Sequence, residues 1–283
     1  MMAGPARVSS HTRLFCLLGD PVSRSKSPAM MNAAFAAAGI DGVYLALRVG
    51  GPALGTVLGA LKEVGCGGAN VTAPHKQAVI PFLDRLSGTA ETSGSVNTVV
   101  FEGKSLVGHS TDGDGLVTAL EERLGEPIRD KTILVFGAGG AARGVLPALL
   151  AGGAAGIVIA NRSVAKAEQL ARELGDRRAA AAPLSPAGLG GVIGSTDVVI
   201  NATALPVTSG TFCDIDLTAL RKGALVFDMN YGRDSAPVEQ ILAKRAVGFS
   251  DGLTMLLFQG ARSFSLWTNQ DPPLSAMRSA LGL

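Results

Sequence analysis

The chain has 283 residues, of which 47% are hydrophobic and 17% charged, and its formal net charge is +2. That length accommodates two domains of ordinary size, each with its own core, while the near-neutral balance of scattered charges excludes a nucleic-acid track or a basic membrane-binding patch. No apolar run approaches the ~20 residues that cross a bilayer, so a soluble, cytoplasmic protein is expected, with no membrane or nucleic-acid partner.

The apolar stretch from Leu14 to Leu18 is too short for a secretory signal, and residues 1–11 read as a loose tail. "TRLFCLLG" reads as a first strand. A helix is expected from Pro28 to about Ala38, with Ser27 as its N-cap, Pro28 in its first turn, Met31, Ala34, Phe35 and Ala38 as its apolar stripe, and Gly39 as its stop. Strands follow at "GVYLALRV" and "GGANVT", then a helix after "APHK". "VNTVVFEGKSLVGHS" reads as a hairpin turning near Gly103. A helix from about Gly115 to Leu124, ended by Gly125, leads onward, and the domain boundary is placed near Asp112.

From there a strand–helix rhythm is regular: strand "TILVFGAG", helix "AARGVLPALLA", strand "GIVIAN", helix "SVAKAEQLAREL", strands "DVVINAT" and "GALVFDMNY", and helix "PVEQILAKRA". Short aliphatic strands alternating with helices define the α/β class, with parallel sheets covered on both faces. The final segment, "DGLTMLLFQGARSFSLWTN", has a wide apolar face and carries the single Trp, and is expected to pack back on the first domain. Cys16, Cys66 and Cys213 form no CxxC pair and read as buried free thiols of a reducing compartment. His11, His75 and His109 lack metal-ligand spacing, so no metal is expected.

"VFGAGGAA" sets Gly137, Gly139 and Ala142 in GxGxxA spacing between a strand and a helix. The first glycine makes a tight turn, the second admits a pyrophosphate to the backbone, and the helix N-terminus faces the phosphates. The next strand ends in Asn161, Arg162 and Ser163, with Lys166 one turn on, where an NAD site would carry an acid for the ribose hydroxyls. No acidic residue lies between Gly137 and Glu168, so the strand end suits a 2′-phosphate and NADP is the expected cofactor.

Three polar clusters in the first half fall at predicted strand ends: "SRSKSP", "NVTAPHK", and the pair "SVNT" and "GHSTD". In order with "GAGGAA", "NRSVAK", "FDMNY" and "DGLTMLLFQGA", they resemble the shikimate dehydrogenase family from Gly19 to about Trp267. The resemblance implies a substrate-binding catalytic domain of mainly parallel α/β type, residues 1–112 and 252–283, and a Rossmann NADP-binding domain, residues 113–251. It implies reversible, NADPH-dependent reduction of 3-dehydroshikimate to shikimate, a step of aromatic amino-acid biosynthesis. By the same likeness Lys76 and Asp112 are the catalytic pair, Ser25 and Ser27 hold the substrate carboxylate, Thr72, Asn97 and Gln259 bind ring hydroxyls, and Tyr231 contacts substrate. Met229 and Gly252 line the nicotinamide side, while Gly137, Ala138, Gly139, Gly140 and Ala141, with Asn161, Arg162, Ser163 and Lys166, hold the rest of the cofactor.

The residue types suit that chemistry on their own terms. Hydride addition to a ketone builds negative charge on oxygen, which an ammonium such as Lys76 stabilises and protonates. A hydroxylated carboxylic acid needs a few fixed hydroxyl and amide partners, which Ser25, Ser27, Thr72 and Asn97 supply. The chain departs from the family pattern at Ser110 (usually Asn), Ala204 and Pro206 (in the "NATSxG" turn) and Arg233 (usually Pro). Those departures leave open a paralogue acting on quinate or an aminoshikimate, and a non-catalytic NADP- or shikimate-binding regulator. A folate-dependent dehydrogenase of similar plan is disfavoured, since only 5% of residues are aromatic. The chain is expected to act as a monomer or homodimer on a small-molecule substrate.

Overall fold

The computed structural model describes residues 8–283. The chain divides into two compact units, one of residues up to 115 together with 256–283, the other of residues 116–255. Of the expected tail, residues 1–7 lie outside the described residues. The rest is tied down: the Ser9 and Thr12 hydroxyls both donate to the Asp41 carboxylate, at 3.4 and 2.6 Å.

The first unit runs β1 (Arg13–Gly19), α1 (Ser27–Ala37), β2 (Gly42–Arg48), α2 (Leu54–Glu63), β3 (Gly68–Val71), α3 (His75–Ala78), β4 (Arg85–Leu86), α4 (Gly88–Ser93), β5 (Thr98–Glu102) and β6 (Ser105–His109). The chain leaves it within α5 (Asp112–Leu124). The second unit contains β7 (Thr132–Phe136), α6 (Gly140–Ala151), β8 (Gly156–Asn161), α7 (Val164–Leu174), β9 (Ala179–Pro183), α8 (Pro186–Leu189) and β10 (Val198–Asn201). It continues through β11 (Thr211–Phe212), β12 (Ile215–Asp216), β13 (Leu225–Asp228), α9 (Ala236–Ala243) and β14 (Gly248–Ser250). The chain returns within α10 (Leu253–Thr268) and ends in α11 (Leu274–Leu281).

The first sheet has the order β2-β1-β3-β5-β6-β4 and is mostly parallel, with β5 reversed against both neighbours. β1 is apolar on both faces, as a covered parallel strand must be. Cys16 and Leu18 join Leu54, Leu58 and Leu61 of α2 in one core cluster. On the opposite face Phe15 packs on Phe35 of α1 (4.4 Å between ring centroids) and on Trp267 of α10 (5.6 Å). The indole Nε1 donates to the Val99 carbonyl at 3.0 Å, and Gly68 has no room for a side chain because the indole lies against it. The C-terminal segment therefore returns to the first unit, as its apolar face requires.

The second sheet is wholly parallel, in the order β14-β13-β10-β7-β8-β9. Renumbered within the unit this is the doubly wound order 3-2-1-4-5-6, in which ligands sit outside the carboxyl ends of the strands. Its core gathers Leu134, Phe136, Val199, Val226 and Leu242, and Phe136 stacks on Phe212 at 4.5 Å.

Several expectations need correction. Ser27 does not cap α1 but is its first residue, following Lys26, and the Ser25 hydroxyl accepts from the Ser27 N–H at 3.2 Å. α5 begins at Asp112, three residues ahead of the expected Gly115, because the Asp112 and Asp114 carboxylates in its first turn suit the positive end of a helix. α3 is a single turn that contains His75 and Lys76 rather than following them. Cys16 and Cys66 are buried, but Cys213 is exposed. It shares with Asp214 the two-residue turn between β11 and β12, where both have positive φ (48° and 65°) as a twisted hairpin turn demands.

Trp267→Ala removes the aromatic keystone of the first unit and the indole hydrogen bond to the Val99 carbonyl. Denaturant unfolding followed by far-UV circular dichroism is expected to show a loss of about 3–5 kcal/mol.

Candidate active site

In the first unit the chemistry-bearing residues gather where the parallel strands end. Thr72 and Lys76 follow β3, Ser25 and Ser27 follow β1, Asp112 follows β6, and Asn97 precedes the reversed β5, which brings it to the same edge. Backbone bonds lock that edge together: Val71 N–H donates to the Asn97 carbonyl (2.9 Å), Asn97 N–H to His109 (3.1 Å), and Val96 N–H to the Lys76 carbonyl (2.8 Å). His75 is buried, with Nε2 2.6 Å from the Val49 carbonyl, so α3 is anchored from beneath.

Lys76 Nζ donates to Asp112 Oδ2 at 2.7 Å. The lysine side chain is 24% exposed and the aspartate 8%, so the lysine is the more accessible partner. At an effective dielectric of ~20 their gross attraction is about 6 kcal/mol, most of which desolvation offsets. The pair therefore fixes an ammonium in place more than it stabilises the fold. Asn97 holds the acid: its Nδ2 lies 3.0 Å from Asp112 Oδ1, 2.8 Å from Thr111 Oγ1 and 3.0 Å from Gln259 Oε1, sharing two hydrogens among three oxygens. Asn97 Oδ1 in turn accepts from Thr111 N–H at 2.8 Å. The Gln259 Nε2 donates to its own helix, at the Leu256 carbonyl. Gly115 has no space for a Cβ because the Gln259 backbone lies against it, which seats α5 beside α10.

The expected catalytic and substrate-binding residues thus divide. Lys76, Asp112, Asn97 and Gln259 form one bonded cluster. Thr72 packs its methyl on Gly19. The Ser25 hydroxyl donates to the Ser27 hydroxyl at 3.1 Å, and Ser25 lines a hollow of about 490 Å³ with Pro21, Val22, Pro28, Ala46 and Arg48. Tyr231 belongs to the second unit. The sequence did not single out Thr111, which ties Asn97 to the Gln259 carbonyl (3.1 Å). It also missed the buried chain behind them, in which Tyr44 donates to Asn70 and Asn70 to Ser263 and Thr98. The signal was present as polar residues within otherwise apolar strands. The Ser110 hydroxyl is buried and has no hydrogen-bond partner among the described residues.

In the second unit the glycine turn follows β7. Gly137 has φ +105°, and a Cβ there would strike the Thr203 methyl and the Ala202 carbonyl, so glycine is obligatory. Gly139 and Gly140 meet no protein atom within 4 Å of an added Cβ, which leaves the start of α6 open, and no side chain caps that helix. Ala142 is fully buried against the sheet. This is the geometry a pyrophosphate needs. At the end of β8, Arg162, Ser163 and Lys166 are exposed and the N-terminus of α7 also lacks a side-chain cap. Asn161 is not a free donor, because its Nδ2 bonds the Ser163 carbonyl at 3.0 Å and shapes the turn. Gly252 is excluded from bearing a side chain by the Met229 carbonyl, so these two stand together. Behind them Asp228 is buried. Desolvation pushes its carboxyl above the usual range, against the opposing pull of Asn230, Arg233 and Asn201.

A paired ammonium and carboxylate on one α/β unit and a dinucleotide cradle on the other define the class as a nicotinamide-nucleotide oxidoreductase. Family models agree: the shikimate dehydrogenase substrate-binding domain matches residues 17–99, shikimate/quinate 5-dehydrogenase residues 119–243, and the shikimate 5′-dehydrogenase C-terminal domain residues 252–281. The shikimate dehydrogenase (NADP(+)) of Geobacter metallireducens is 38% identical over 96% of each chain. The Thermus thermophilus shikimate 5-dehydrogenase in complex with NADP(H) and shikimate superposes with a TM-score of 0.84 at 31% identity, over 96% of this chain and 99% of that one. A quinate dehydrogenase of Corynebacterium glutamicum in complex with NAD superposes with a TM-score of 0.85 at 30% identity, over the same shares. The chain belongs to the shikimate dehydrogenase family. No helix among the described residues is long and apolar enough to cross a membrane.

Proposed function

We propose that this chain catalyses the reversible, NADP-dependent interconversion of 3-dehydroshikimate and shikimate in the cytoplasm, acting on a small molecule as a monomer or homodimer. The observation that carries the reading is the Lys76–Asp112 pair at 2.7 Å, with the lysine side chain the more exposed partner. NADPH, when bound, supplies the hydride. The chain supplies everything else. Lys76 holds a proton at Nζ, stabilises the negative charge that grows on the substrate oxygen, and delivers the proton to it; in the oxidative direction the same nitrogen takes it back. Asp112 keeps the ammonium aimed, and Asn97 and Thr111 keep Asp112 from swinging away. Asn97 and Gln259 are therefore positioning residues in this geometry first, and ring-hydroxyl partners by the family likeness.

The Ser25 and Ser27 hydroxyls, bonded to each other at the start of α1, are the carboxylate-binding pair, and Thr72 faces the ring. Gly137 to Ala141 and the start of α6 cradle the pyrophosphate. Arg162, Ser163 and Lys166 meet the 2′-phosphate with two cations and an uncapped helix end. Met229, Gly252 and Tyr231 belong to the nicotinamide and substrate side of the second unit.

Two outcomes are expected. In steady-state assays of shikimate, quinate and aminoshikimate oxidation with either nucleotide, shikimate with NADP+ should give the highest kcat/KM. The preference over NAD+ should be at least about tenfold, the return of one or two charge-assisted bonds of roughly 1.5–3 kcal/mol each. Equal kcat/KM for the two nucleotides, or a quinate preference, overturns the assignment at that point. Lys76→Ala should lower kcat by roughly two or more orders of magnitude with a smaller change in KM, and an unchanged kcat removes Lys76 from the chemistry.

A further inference from the structure

The loop after β10 is held in an unusual way. Three successive carbonyls each receive a side-chain donor: Asn230 Nδ2 on Thr203 (2.7 Å), Arg233 Nη2 on Ala204 (2.7 Å) and Asn201 Nδ2 on Leu205 (2.8 Å). All three donors converge on one buried acid. Asp228 Oδ1 accepts from Asn201 Nδ2 (3.1 Å), from Asn230 Nδ2 (2.7 Å) and from Asn230 N–H (3.0 Å), and Arg233 Nη1 stands 3.8 Å from Oδ2. The same loop forms the wall against which the glycine turn packs, since Thr203 and Ala202 occupy the space a Gly137 side chain would need. The Asn230 carbonyl also accepts from Gly252 N–H at 2.9 Å. One carboxylate thus organises the glycine turn, the β10 loop and the β13 and β14 ends.

Within this lattice Asn201 and Asn230 are buried or half-buried, whereas the Arg233 side chain is 43% exposed and crosses from the segment after β13 to the loop. It is the one donor of the three not enclosed by the fold. We propose that Arg233 is a positioning residue for the nicotinamide nucleotide: by holding the Ala204 carbonyl and balancing Asp228, it fixes the β10 loop that walls the glycine turn. The proposal rests on the dinucleotide reading above and adds to it a specific source of nucleotide affinity in this chain.

Arg233 is exposed enough for its variants to fold. The full chain, as wild type, Arg233→Ala and Arg233→Lys, is titrated with NADP+ by calorimetry without substrate, and digested with elastase, which cuts after small residues, to read cleavage after the exposed Ala204. Arg233→Ala should weaken NADP+ binding roughly three- to tenfold, the range of one hydrogen bond on a half-exposed side chain, and should speed cleavage after Ala204. Arg233→Lys, which retains a donor and a charge, should recover most of both. In kinetics the KM for NADP+ should rise more than the KM for shikimate. Unchanged NADP+ affinity in Arg233→Ala overturns the proposal. So does an equal loss of nucleotide and shikimate affinity, with a lowered Tm that lysine does not restore, because that pattern marks a merely structural role. A wild-type chain that binds no NADP+ overturns the dinucleotide reading itself and is seen before any variant is compared.

Discussion

The chemistry of the first unit depends on keeping an ammonium and a carboxylate 2.7 Å apart, with the lysine the more accessible of the two side chains. Left alone, a lysine has four rotatable bonds and a strong preference for water, so the arrangement must be enforced from outside the pair. The enforcement is backbone first. α3 is anchored through His75 to the loop after β2, and the Lys76 carbonyl is bonded to Val96, one residue from Asn97. Asp112 is fixed twice, by its place in the first turn of α5 and by the Asn97 amide, which Thr111 and Gln259 hold in turn.

The reversed β5 is what makes this possible. In a wholly parallel sheet the start of a strand lies at the edge opposite the functional one. Reversal brings Asn97 to the same edge as the ends of β3 and β6, and so to the carboxylate it orients. The return of α10 completes the support: Gln259 and Ser263 bond into the cluster from the helix that Trp267 pins to the sheet. Catalytic geometry and hydrophobic packing in this unit are therefore one construction. The second unit solves a simpler problem, presenting open helix starts at α6 and α7 beside a glycine turn that tolerates no side chain.

Much of this was legible in the sequence because its signals are local. Aliphatic runs gave the parallel strands, the Gly137, Gly139 and Ala142 spacing gave the nucleotide turn, and Gly103 gave the β5–β6 hairpin, whose turn glycine indeed has φ +60°. Illegible were the features decided by tertiary context. Ser27 has the composition of an N-cap, yet α1 starts one residue early because Ser25 supplies the local acceptor. β9 is an alanine run with little strand propensity, held by pairing along β8. The bond from the Asn97 amide to Asp112 joins residues 15 apart across a hairpin, a pairing no sequence rule gives. The Asp228 lattice joins residues from three strand ends, which only the folded sheet brings together.

The most direct test of the central claim is a double-mutant cycle on kcat for shikimate oxidation, using Lys76→Met, Asp112→Asn and the double variant. If the two side chains act as one device, removing the second after the first costs little, and the double variant should lie within about threefold of Lys76→Met alone. Additive losses, with each substitution multiplying the other's effect in full, would show two independent groups and contradict the account.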